Sequence, residues 1–441
     1  MKKLALWTTS ALLFGLSASS VSAANKGNSI EFLRTMARGA STDADAAFFN
    51  PAGLAFIQHE GISFQLANQF IFIHDTIQDS GELLQKFHPD AYEVDIKTYL
   101  YPIAHLAYRR GSWAFFGSFY PISGGAGGRF ADGFPTVDGG FLNMLQSQLG
   151  KVEEYSRKLV FEAVDYALAG SLGAAHRITD KIAVALGYRL TRKITTFNGE
   201  MSQIHIKAAD WGDLDYLFPG TMDIEAEATG WCHAVIAGVH AQPTKKLNIG
   251  LKLEYSTPLE INTKNKKFAL AEPGMNPDDP GVREFFKQFL DGYKEKYTEP
   301  PSVALGVSYQ ILPPLKVETG LYYQLNSLAA SGGKEKDHVD APWLGIGLEY
   351  ALTPNLLVSV GYGYDQTGRK STGQKDNDIW LSGHFISGGF AYRIIPALEI
   401  SAGSSYSMAL ETHSASASVV EGIQTYNGGS VVVGLGVNGR L

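Results

Sequence analysis

Residues that could do covalent chemistry are few in this chain, and none are grouped. His105, His176, His240, His384 and His413 are far apart, and there is no Gly-x-Ser-x-Gly elbow and no His-Glu-x-x-His pair. A hydrolase needs a nucleophile and a base held within hydrogen-bond reach, and no local pattern promises one. Cys232 is the single cysteine. It cannot form an intrachain disulfide and has no thiolate partner for a metal, so a small buried hydrophobe is expected. No catalytic residue, metal or cofactor is expected. What the chain offers instead is binding chemistry. Phe48, Phe49, Phe56, Phe115, Phe116, Phe119 and Tyr120 form two aromatic clusters suited to an apolar ligand. About half must turn away from any common pocket, because strand side chains alternate.

The elements carrying these residues have a period of two. Leu356, Val358, Val360, Tyr362 and Tyr364 share one face of a segment, and Leu357, Ser359, Gly361, Gly363 and Asp365 the other. Such segments recur in pairs joined by tight turns. Fourteen strands are expected, near Gly61–Phe72, Lys97–Tyr108, Ser112–Ser123, Val164–Ile178, Lys181–Phe197, Ile224–Ala241, Leu247–Asn262, Ser302–Leu312, Leu315–Leu325, Trp343–Leu352, Leu356–Asp365, Trp380–Ile394, Leu398–Leu410 and Gly429–Leu441. Connections alternate between very short and long, as in bacterial outer-membrane barrels. The fold class expected is all-β: a 14-stranded antiparallel transmembrane β-barrel.

Charges inside the strands support this reading. Lys252 and Glu254 lie out of phase with Leu247, Ile249, Leu251, Leu253 and Tyr255, and Lys316, Glu318, Glu349 and Arg393 interrupt other strands. If the apolar strip meets lipid, the charges face the lumen. The opposite register would cost about 2–4 kcal/mol for each Lys or Arg at the bilayer midplane. Inside and outside are therefore well determined.

Composition and address agree. Of 441 residues, 48 are glycine, 24 phenylalanine and 21 tyrosine, which suits a crowded lumen and interfacial aromatic girdles. A formal charge of −7 without a basic block argues against nucleic acid as a partner. Residues 1–23 read as a signal peptide: Lys2 and Lys3, a short apolar run from Leu4 to Leu16, then Val21-Ser22-Ala23 as the cleavage site.

Residues 24–56 do not alternate. Ile30, Leu33 and Ala37 fit a short helix, with a second N-cap expected at Ser41 or Thr42. A segment so rich in Ala, Phe and Gly is a poor solvated tail, and a plug inside the barrel mouth is expected, with the barrel occupying 57–441. The run Gly39-Ala40 … Asp45-Ala46-Ala47-Phe48-Phe49-Asn50-Pro51-Ala52-Gly53-Leu54 resembles the N-terminal signature of the FadL/TodX family of outer-membrane long-chain fatty acid and aromatic-hydrocarbon transporters. Trp113 to Pro121 is similar to the aromatic-rich third strand of that family.

The resemblance implies passive uptake: capture of a hydrophobic molecule on outer loops, binding in the lumen, and sideways exit at a kinked third strand. It also implies a hatch whose motif falls on Asn50, Pro51, Ala52 and Gly53. The kink would fall near Ser118, Pro121, Gly124 and Gly125; independently, a proline lacking a ladder donor followed by glycines breaks strand pairing. The chain departs from the family pattern at its C-terminus, which is Arg440-Leu441 rather than Phe.

Helical outer loops are expected near 137–162 and 264–299. Leu142, Leu145, Leu149 and Val152 make one apolar stripe, and Phe285, Phe286, Phe289 and Leu290 another. Leu142, Leu145, Phe285, Phe286 and Phe289 are candidates for first capture of cargo; the alternative is that each stripe packs within its own loop. The partners expected are a hydrophobic small molecule, outer-membrane lipids and the barrel-assembly machinery, with the chain a monomer. A general porin, an outer-membrane adhesin and a lipid hydrolase are the rival readings.

Overall fold

The structure is a computed structural model that describes residues 28–217, 220–269, 287–329, 335–376, 379–415 and 422–441. The expected signal peptide lies outside these residues, as do Phe285 and Phe286.

Fourteen antiparallel strands close into a barrel. They are β1 (Gly61–Asp79), β2 (Tyr92–Thr98 continued by Pro102–Arg110), β3 (Trp113–Phe130), β4 (Val152–Thr179), β5 (Ile182–Ala208), β6 (Met222–Thr244), β7 (Leu247–Ser256 continued by Leu259–Ala269), β8 (Lys294–Tyr297 continued by Ser302–Leu312), β9 (Leu315–Gln324), β10 (Ala341–Ala351), β11 (Leu356–Asp365), β12 (Gly383–Ile395), β13 (Leu398–Ala409 continued by Thr412–Ala415) and β14 (Ile423–Arg440). Closure is made by β1 on β14, in register from Ser63 with Arg440 to Asp79 with Gln424. Closing the ring leaves no open sheet edge, which a bilayer demands. No helix among the described residues is long and apolar enough to cross a membrane.

The wall is turned inside out relative to a water-soluble sheet. Leu253, Tyr255, Val360 and Tyr362 are exposed, while the alternate Lys252 and Ser359 are buried and Glu254 is half-buried. The expected assignment of lipid and lumen faces holds. Arg393 has the inward phase but is exposed, because it lies beside the tight turn at Pro396.

Several strands are longer than the sequence pattern suggests. β4 and β5 have 28 and 27 residues, whereas about 9–11 cross a bilayer. Their excess stands above the membrane, where neither face must be apolar, so the alternation fades. α3 (Glu82–Phe87) and α4 (Pro135–Leu149) pack there with Leu159, Met201, Ile204 and Ile206 in a core of their own. The helix expected to run toward residue 160 ends at Leu149. From Val152 the chain is strand, with Leu159 opposite Met201 on β5. The second expected helical loop is a strand to Ala269, a single turn at Lys287–Phe289 and a strand from Lys294; residues 270–286 lie outside the described set.

The N-terminal segment lies within the ring. α1 (Ile30–Thr35) touches β10 to β14, and the short 3-10 turn Pro51–Phe56 touches β2 to β7. The Ser29 hydroxyl caps α1 by accepting from the Phe32 amide, and Met36, in the left-handed region at φ 58°, ends it. The second cap differs from expectation. Asp45 precedes α2 (Ala46–Phe49) without a side-chain cap bond, because its carboxylate already accepts from Arg38 and from the Ser41 hydroxyl; Ser41 in turn accepts from Arg38 and from the Asp43 amide. Wall glycines make room for the segment. A Cβ on Gly345 would stand 1.9 Å from the Met36 carbonyl oxygen, so only glycine fits there.

Candidate functional site

A cavity of about 120 Å³ opens between the N-terminal segment and β3 to β10. Its apolar side is Phe32, Met36, Phe48, Phe49, Ile122 and Trp343. The rings are packed edge and face: Phe32 stacks on Phe49 at 5.4 Å, Phe48 meets Phe49 at 4.9 Å, and Phe48 meets Tyr120 edge-on at 4.8 Å. Its polar side includes Arg189, Lys193, Lys252, Glu254 and Glu299. Above it a second apolar cluster, with Phe130, Phe134, Phe161, Phe197 and Phe289, continues toward the outer loops, and Ile73 packs against both.

The aromatic candidates are divided by strand phase. Phe48 and Phe49 line the cavity, with Tyr120 against Phe48. Phe56 and Phe116 are buried elsewhere, among Ala107, Ala114, Ala175 and Ala183. Phe115 and Phe119 are half-exposed on the outer face and cannot touch luminal cargo. The Asn-Pro-Ala-Gly residues shape a turn rather than the cavity. Asn50 donates to the Val239 carbonyl at 3.0 Å and accepts from the Ala52 amide. Pro51 starts the following turn, and Gly53 lies against the Ser41 carbonyl oxygen. Leu142 and Leu145 are fully buried in the outer core rather than presented in an open groove. Phe289 packs edge-on against Phe197 at 5.6 Å.

Pattern reading missed the residues that seat the N-terminal segment. Arg38 pairs with Asp45 at 2.9 Å, Asp43 at 2.7 Å and Glu318 of β9 at 3.2 Å. Arg34 pairs with Glu349 of β10 at 3.3 Å and donates to Ser359 of β11. Lys316 joins both glutamates. The odd in-strand glutamates are therefore sockets for two arginines four residues apart, Arg34 and Arg38, and that spacing is the available signal. Burial opposes the Asp45 charge, but the adjacent Arg38 guanidinium outweighs it and holds the carboxyl below its ordinary range.

The wall is interrupted next to Phe48. Pairing of β2 with β3 runs from Arg110–Trp113 to Ala104–Phe119 and resumes at Ile96–Gly128. Between these points residues 97–103 and 120–127 share no ladder. On β3 the register against β4 slips between Pro121 and Ser123 and again between Gly124 and Ala126. On β2 the chain leaves the strand at Tyr99–Tyr101, held by Asn68, which donates to the Tyr99 carbonyl and accepts from the Tyr101 amide. Tyr101 is fully buried and donates to the Pro121 carbonyl at 3.0 Å. Ser118 lies just before the break, still in register with His105 and 2.9 Å from its Nδ1. The other His105 nitrogen donates to the Asn28 carbonyl, so this pair holds the start of the segment and has no carboxylate partner in a catalytic relay.

His205, Asp213 and Asp215 bring ligand atoms within 4.8 Å of one another on an outer hairpin. Each of these residues is hydrogen-bonded to a neighbour.

The architecture and the inverted polarity define a transmembrane β-barrel of the bacterial outer-membrane type. Among solved structures, a Pseudomonas aeruginosa FadL homologue is similar at a TM-score of 0.64 and 15% identity, covering 96% of this chain and 98% of that one. The P. putida toluene transporter TodX is similar at 0.58 and 14%, covering 91% and 95%. The Ralstonia pickettii toluene transporter TbuX is similar at 0.56 and 16%, covering 97% and 100%. The chain thus has the fold of the FadL/TodX transporters. No protein-family model matches it, and no curated protein matches it by sequence.

Proposed function

We propose that the protein carries hydrophobic small molecules passively across the outer membrane, with lateral exit into the bilayer between β2 and β3. The observation that carries this reading is the wall interruption at residues 97–103 and 120–127, because Tyr101, Tyr120 and Ile122 belong to the same apolar cluster as the cavity aromatics Phe48 and Phe49. Ile73 packs against both this cluster and the aromatic cluster nearer the outer loops. An apolar cargo gains nothing by entering the aqueous periplasm, since each exposed CH₂ costs about 0.8 kcal/mol. A side opening to lipid avoids that cost and needs no energy source.

In this reading residues 24–56 act as a hatch that denies cargo and ions the straight route. Arg34 and Arg38 are its bolts, and the Asn50–Gly53 turn is its dock on β6. A general porin would need a water-filled lumen, and the buried segment argues against one. The test is conductance in planar bilayers after deleting residues 24–54. Large steady conductance is expected from the deletion and little from the intact chain; equal conductance would remove the hatch from the account.

A further inference from the structure

We propose that the cavity admits uncharged cargo and rejects carboxylates. The proposal rests on the uptake reading above and narrows its substrate class.

Three cationic side chains reach the cavity from β5 and β7, and each is already neutralised. Arg189 forms ion pairs with Glu254 and Glu299. Lys252 lies 2.9 Å from Glu254 and donates to the Phe48 carbonyl at 2.9 Å. Lys193 lies 3.5 Å from Asp165. Arg189, Lys193 and Lys252 are thus matched by Asp165, Glu254 and Glu299. The fourth cation in the lining, Arg38, is held by Asp43, Asp45 and Glu318.

A carboxylate entering this lining would shed its water and find no uncommitted cation among the described lining residues. It would also stand beside Glu254 and Glu299, which raises its energy further. A buried charge without a partner is strongly disfavoured. An uncharged molecule meets none of these costs and gains the faces of Phe32, Phe48, Phe49 and Trp343. The space also limits size: about 120 Å³ is close to the ~150 Å³ of an apolar cavity that holds one benzene ring.

The experiment uses the full-length purified protein in detergent and equilibrium dialysis of radiolabelled ethylbenzene and benzoate at neutral pH. Ethylbenzene is expected to bind at least tenfold more tightly. Glu299→Gln removes one of the two carboxylates on Arg189, and the affinity ratio is expected to shift toward benzoate by about tenfold. Equal binding of the two ligands by the unmodified protein, or a ratio unmoved by Glu299→Gln, would overturn the charge rule and leave the uptake reading standing. Failure of both ligands to bind would overturn both readings.

Discussion

The Tyr101 hydroxyl and the Pro121 carbonyl oxygen are 3.0 Å apart across a stretch where β2 and β3 share no backbone ladder. One side chain thus closes a gap that backbone pairing leaves open. Tyr101→Phe keeps the ring and loses the bond; Tyr101→Ala removes the wedge. Ala is expected to release bound ethylbenzene into lipid vesicles at least several-fold faster than the native protein, with Phe in between. Identical release from all three would mean that Tyr101 does not guard an exit.

Arg38 is almost fully buried among three carboxylates. Removing one partner from a buried charge network costs about 3–5 kcal/mol, because the others are left uncompensated. Arg38→Met is expected to destabilise the folded barrel by that order and to loosen the N-terminal segment. Denaturant unfolding in vesicles, followed by the heat-dependent gel shift of folded barrels, measures it.

Gly345 faces the Met36 carbonyl, and Gly170 has nothing within 4 Å of an added Cβ. Gly345→Val is expected to push α1 off the wall and raise conductance in planar bilayers toward that of the deletion lacking 24–54. Gly170→Ala serves as the control, with conductance unchanged. A silent Gly345→Val channel would mean that the segment does not seal the lumen.

Much of the fold is legible in the sequence. The alternation of Leu247 to Tyr255 and of Leu356 to Asp365 predicts strand, face and register, because a membrane penalises every polar residue on the wrong side. Turn ends at Gly111, Asp180 and Pro354 are marked by residue type. The outer ends are not, since above the membrane Val152 to Phe161 can be strand without a lipid-facing strip. The site is only half legible. Pro121 and the glycines after it announce a break in β3, but the matching break in β2 needs Asn68 from β1, a contact between strands that no local pattern carries. The same holds for Glu318 and Glu349, whose partners lie about 280 and 315 residues earlier.

The outer hairpin offers a pH test. A hydrogen bond to Asp215 raises the His205 pKa above its ordinary value, and the same bond lowers that of Asp215. The histidine contribution is complete below its unfolded value and is lost as pH rises through the raised folded value. The aspartate contribution is present above its unfolded value and is lost as pH falls through the lowered one. The pair should therefore hold between the two folded values and loosen on either side. Hydrogen exchange at the Ile206 amide, which donates to Asp215 at 2.9 Å, is the readout after correction for intrinsic rates. Protection that does not fall above the raised His205 value would contradict the assignment.

The most direct test of lateral exit is uptake by whole cells carrying Gly124→Val and Gly125→Val together. Bulky β-branched residues favour extended, paired strand and are expected to close the break in β3. Radiolabelled ethylbenzene uptake should fall at least tenfold in a correctly assembled double variant whose purified form still binds ethylbenzene. Uptake at the native rate by that variant would contradict a lateral exit between β2 and β3.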